Sequence, residues 1–176
     1  MKFTTALIAS AVSLASSAFA IPASTTAAAA QPSETLGWGQ HWIKTSDNLF
    51  LQSQTAWTPG PATLGSADTA GEFNIVSTSL CDTVHTPEFL YGIVESITPG
   101  ATQLQLTFEA GILGPASGGV FAWTTSGDDQ LLSWSRSDSA FTGWILCDNI
   151  IYANQISTVP DDCSSIELAS NIGTFA

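Results

Sequence analysis

Phe141-Thr142-Gly143-Trp144-Ile145-Leu146-Cys147-Asp148 and, downstream, Val159-Pro160-Asp161-Asp162-Cys163-Ser164-Ser165-Ile166-Glu167-Leu168 each read as a strand carrying one cysteine. Two such strands so close in sequence predict a disulfide clamp at the end of a β-fold. Working outward, the residues before them keep the same texture. Segments 120–125 and 130–135 flank Ser126-Gly127-Asp128-Asp129, whose turn-forming centre predicts a hairpin.

Further upstream the clearest period-2 signal is Leu104, Leu106 and Phe108 against Gln103, Gln105 and Thr107, one buried face and one wet face. Segments 88–97, 72–80 and 48–57 read as three more strands, the first ended by Pro99-Gly100 and the last by Pro59-Gly60-Pro61. With 140–147, 150–158 and 163–169 the series comes to eight or nine short strands. No segment after the leader has helical periodicity. The expectation is all-β: a single antiparallel β-sandwich or barrel with one disulfide.

The N-terminus reads differently. Lys2, the apolar run Ala6 to Ala15 and the small-x-small site Ala18-Phe19-Ala20 predict a signal peptide over 1–20. Residues 21–35 are rich in Ala, Thr, Ser and Pro, a composition that cannot bury a core, and predict a flexible lead to a β domain over 36–176. No later apolar run approaches the roughly 18 residues of a membrane span, and the chain lacks the hydrophobic tail of a GPI-anchored precursor. The expected product is secreted, extracellular or in a cell wall. Losing the leader leaves Lys44 and Arg136 as the basic residues against 15 acids. So few cations cannot drive binding to nucleic acid or to an anionic membrane.

In an exported chain, 3 cysteines predict one disulfide and one leftover. Cys147 and Cys163 would close a loop of about 17 residues, stabilising by roughly 3 kcal/mol in the chain-entropy model. Cys81 is then the odd residue: a buried small hydrophobe, a rival partner for either of the others, or a link to another molecule.

The segment from Val120 to Ala169 is similar to small secreted proteins of filamentous fungi. The likeness lies in the hairpin with Trp123 and Trp134 around Asp128-Asp129, the Gly143-Trp144-Ile145-Leu146-Cys147-Asp148 element, and Cys163 before a last short strand. That group includes phialide and hyphal cell-wall proteins of the PhiA type and the IgE-binding fungal proteins. The resemblance implies a cell-wall or surface association and transfers no catalytic residue.

Chemistry-bearing residues are sparse. Glu95, Glu109, Asp128, Asp129, Asp148, Asp161 and Asp162 could in principle supply the carboxylate pair of a glycosidase. Their places in turns and on polar strand faces predict solvated side chains instead. His41 and His85 stand in no metal-ligand spacing, and no Gly-x-Ser-x-Gly elbow is present, so neither metal, cofactor nor catalytic residue is expected. The 6 tryptophans are the stronger signal. Trp144, inside an apolar strand, reads as core. Trp38 and Trp42, in a polar segment with Gln40 and His41, read as candidate glycan-facing residues together with Gln40. The leading expectation is a non-enzymatic secreted fungal protein of the cell wall or extracellular matrix, with cell-wall polysaccharide as its candidate partner. A glycan-binding module using exposed Trp is the second reading, and a carbohydrate-active hydrolase the third.

Overall fold

The computed structural model describes residues 36, 39–83, 89–96, 99–111 and 119–172. The expected signal peptide and lead, Trp38 and His85 lie outside them. The described residues hold thirteen strands and one 3-10 turn, Ala67–Thr69. In chain order these are β1 (Trp42–Lys44), β2 (Phe50–Ser53), β3 (Gly60–Gly65), β4 (Phe73–Val76), β5 (Ser79–Asp82), β6 (Leu90–Glu95) and β7 (Gln103–Ala110). They continue as β8 (Val120–Ser126), β9 (Asp129–Ser135), β10 (Gly143–Cys147), β11 (Ile150–Asn154), β12 (Cys163–Ile166) and β13 (Ala169–Asn171). All pairings are antiparallel, and the strands form one continuous sheet.

The sheet nearly closes on itself. From β4 it runs through β5, β6 and β7 to β3, β2 and β1. His41 N–H then donates to Phe73 O at 2.7 Å, and Phe73 N–H to His41 O at 2.8 Å, joining the start of β1 back to β4. Strands β11, β10 and β12 extend the sheet from β7, while β13, β9 and β8 extend it from β1. Phe121 N–H donates to Thr78 O at 2.8 Å, tying β8 to the β4–β5 turn. The all-β antiparallel expectation holds, in the barrel-like form. The count of eight or nine strands does not.

Two of the extra strands have local causes. Segment 72–80 is not one strand: it breaks at Ser77 and Thr78, with φ of 48° and 75°, into the β4–β5 hairpin. Two successive positive φ values make a primed turn that favours Asn and Gly, so Ser-Thr carries no turn signal. Pro59-Gly60-Pro61 does not stop a strand but opens β3, where Gly60 pairs with Phe108 and Pro61 with Thr107. Proline is tolerated at a strand start because one missing N–H there breaks no continuing ladder. The β8–β9 hairpin forms where expected, with Ser126 opposite Asp129 and Gly127 (φ 63°) in the two-residue loop.

The core lies inside the closed sheet. Ile43, Leu51, Phe73, Leu80, Leu106, Phe108, Phe121, Trp134, Trp144 and Ile151 belong to one buried cluster. The alternation along β7 holds for Leu104, Leu106 and Phe108, all buried, but the wet face is partly covered. Gln105 is only 9% exposed and donates from Nε2 to Thr107 Oγ1 at 3.3 Å. Strands β1 and β2 are covered on both faces. Ile43 and Leu51 point into the main core, while Trp42 and Phe50 join Leu36, Ala67 and Ala70 in a second cluster.

Cys147 and Cys163 are directly opposed in the β10–β12 ladder and form the disulfide, with Cα atoms 4.4 Å apart. Cys81 is free and buried. Burial, with the charge of Asp82 adding to it, pushes its thiol up to about 11, against a hydrogen bond from Tyr91 that lowers it. A thiolate is the reactive form. The folded protein at pH 8 is therefore expected to show no reaction with a disulfide reagent such as DTNB, and one thiol per chain once unfolded without reductant. Rapid reaction of the folded chain would contradict the buried placement.

Candidate functional site

An aromatic ring meets hydrogen-bonding side chains around His41, where β1, β4, β8 and β13 come together. The reciprocal bonds to Phe73 fix the His41 backbone, and β13 pairs with β1 in the register Ile43 opposite Ser170. That register brings Ser170 Oγ within 2.6 Å of His41 Nδ1. Trp123, on the same face of β8 as buried Phe121, lays its half-buried ring against the imidazole, centroids 4.8 Å apart and tilted by 41°. On the opposite face of the sheet, shared with Trp42, Gln40 Nε2 donates to Thr83 Oγ1, and Thr83 N–H donates to Glu72 O at 2.9 Å.

Desolvation lowers the His41 pKa below its ordinary value. The ring is therefore neutral at pH 7, with one nitrogen donating and the other accepting. The site then offers an aromatic face, a neutral imidazole and a hydroxyl, with no formal charge on any of them. Such a set suits a ligand with both C–H faces and hydroxyls. A serine hydroxyl on an imidazole is also two-thirds of a nucleophilic triad. Among the described residues no carboxylate hydrogen-bonds to His41.

The sequence-derived site residues fare unequally. Gln40 precedes His41 in the chain, but its side chain bonds to Thr83 on the other face. Trp42 does not face the site either: it is 5% exposed and packed in the second cluster. The correction has a physical cause, since the 3-10 turn and Leu36 cover the face of β1 that would otherwise meet water. Trp144 is core as expected, 3% exposed, with its indole N–H donating to Leu132 O at 2.7 Å. Trp134 is also buried, edge-on to Phe141 and with the Arg136 guanidinium 5.5 Å above it. Glu95, Glu109, Asp128, Asp129, Asp148, Asp161 and Asp162 are all exposed.

Two members of the site escaped the sequence reading. Trp123 was legible only as a hairpin residue, and Ser170 carried no signal, because strands distant in sequence assemble the cluster. Two carboxylates also went unnoticed. Glu72 and Asp82 are 3% and 2% exposed, and Glu72 N–H donates to Asp82 Oδ1 at 3.3 Å. The signal for Asp82 was its parity with Leu80 on a strand. Compared with family models, curated proteins and solved structures, the chain finds no match in any of the three.

Proposed function

We propose that this chain is a secreted, non-enzymatic protein of a fungal cell wall or extracellular matrix, and that it acts there by holding cell-wall polysaccharide. The observation that carries the binding role is Trp123 packed against neutral His41, with the Ser170 hydroxyl on the imidazole. A pyranose presents C–H groups on its faces and hydroxyls at its rim, matching an indole face with polar neighbours. The export signal, the scarcity of basic residues and the likeness of residues 120–169 to secreted fungal proteins support the location. The glycan-facing tryptophan in this reading is Trp123, with Trp42 assigned to packing.

The test is retention of the secreted protein on insoluble chitin and β-glucan. Wild type is expected to be retained, and Trp123→Ala to weaken retention about tenfold, the loss of one stacked contact of roughly 1.4 kcal/mol. His41→Ala serves as a second variant, with circular dichroism confirming the fold of each. Wild-type protein that washes through every polysaccharide, or folded variants retained as well as wild type, would refute the proposal.

A further inference from the structure

Strand β12 lies at an edge of the sheet, paired with β10 and with no other strand. Its backbone orientation follows from the disulfide pair. In an antiparallel ladder, opposed residues alternate between pairs that exchange both hydrogen bonds, with Cα atoms about 5.5 Å apart, and pairs that exchange none, at about 4.5 Å. Cys147 and Cys163 are opposed at 4.4 Å, so theirs is a pair without bonds, and the Cys163 N–H and C=O point away from β10. In keeping with this, the Cys163 N–H donates to Pro160 O at 3.0 Å. Ser165, opposite Ile145, is in the next pair of the same kind. Its N–H and C=O therefore face outward, and among the described residues nothing bonds to them. Ser164 and Ser165 are both exposed.

The charges around this edge have one sign. Asp161 and Asp162 precede β12, Glu167 follows it, and the register that opposes Cys147 to Cys163 brings Asp148 alongside Asp162. All four are exposed. The chain has no Lys or Arg from 137 to 176, and Arg136 is paired with Asp138. Exposed edges are ordinarily blunted by lysine, proline or a bulge. Strand β12 contains neither residue, and its register with β10 is unbroken. Acids at both ends select the partner by charge. Two copies joined through β12 about Ser165 would set Glu167 of each against Asp161 and Asp162 of the other, and like charges across a ladder repel.

We infer that the β12 edge is a docking strand for an extended basic peptide segment, which adds to the sheet antiparallel to β12 with Lys or Arg at both ends. The central residue of the segment exchanges both backbone bonds with Ser165, as in strand addition generally. The residue two positions before it then stands opposite Glu167, and the residue two positions after it opposite Cys163, next to Asp161 and Asp162. At roughly 3.3 Å per residue those two ends lie about 13 Å apart, each within reach of an acid. The inference shares no residue with the polysaccharide reading and does not depend on it.

The test is an NMR titration of the ¹⁵N-labelled secreted protein with acetyl-Lys-Val-Thr-Val-Lys-amide and, separately, acetyl-Glu-Val-Thr-Val-Glu-amide. The basic peptide is expected to give saturable shifts centred on the amides of residues 163–167 and to slow hydrogen exchange at Ser165. The acidic peptide is expected to give none. Ser165→Pro removes the outward N–H and leaves the β10 ladder intact, so it is expected to weaken the basic peptide about tenfold. Should that variant not fold, N-methylation of the peptide's central threonine removes the reciprocal bond and is expected to do the same. Neutralising the edge with Asp161→Asn, Asp162→Asn and Glu167→Gln together is expected to weaken binding by a similar factor and to remove its salt dependence. No saturable shift with the basic peptide, equal binding of the acidic one, or full affinity in a folded Ser165→Pro protein overturns the inference. So does a concentration-dependent dimer in sedimentation that protects the Ser165 amide, which would give the edge to a second copy. Trp123→Ala is expected to leave peptide binding unchanged, so either proposal can fail while the other stands.

Discussion

Trp144→Ala is expected to lower the unfolding free energy by about 4 kcal/mol, within the range for truncating a buried tryptophan. Three losses act together. The indole is 3% exposed, so its removal leaves a cavity that the surrounding strands cannot fully fill. Its ring stacks on Phe121 at 6.4 Å and meets Phe141 edge-on at 5.1 Å, joining the β8–β9 arm to β10. Its N–H also satisfies Leu132 O, and an orphaned carbonyl there costs about 1–3 kcal/mol. Urea denaturation of wild type, Trp144→Ala and Trp144→Phe separates the contributions. Phenylalanine keeps most of the packing and loses the hydrogen bond, so it is expected to fall between the other two. An alanine variant within about 1 kcal/mol of wild type would show that the aromatic cluster does not hold the arm to the barrel.

Replacing both Cys147 and Cys163 by serine is expected to cost about 3 kcal/mol, seen as a lower urea midpoint with the fold retained. The two residues are 16 apart in sequence, so the cross-link restrains the unfolded chain over one hairpin and its following loop. In the folded state β12 pairs only with β10. Without the bond it is held by that ladder, the packing of Ile166 and the continuation into β13, so fraying is expected to begin at β12. Hydrogen exchange should show residues 163–166 losing protection first. Intact mass without reduction should give one disulfide and one free thiol. A disulfide that includes Cys81, or a double variant as stable as wild type, would contradict this account.

Much of the fold was legible because its signals are local. The alternation around Leu104, Leu106 and Phe108, the turn at Gly127-Asp128 and the apolar character of 143–147 each depend on neighbours within a few residues. The strand count was not legible, because Ser77-Thr78 adopts a turn that those residue types do not favour. The bond from Phe121 to Thr78 and the pairing of β5 with both β4 and β6 hold that turn in place. Of the candidate site, the segment that carries His41 was legible and the surroundings of its ring were not. Trp42 has the polar neighbours of a surface residue, and only the 3-10 turn packed over it makes it core.

The amino-acid sequence by itself determined the all-β class, the hairpin, the cysteine pair and an overwhelmingly acidic chain, since periodicity, turn chemistry and composition are properties of short segments or simple counts. The tertiary structure alone decided that His41 closes the barrel through Phe73, that Ser170, 129 residues away, reaches its ring, and that Trp123 rather than Trp42 stands beside it. The reason is register. Which face of a strand meets water depends on what packs over it: Leu36 and the 3-10 turn cover Trp42, while Ser170 reaches His41 from the other end of the chain.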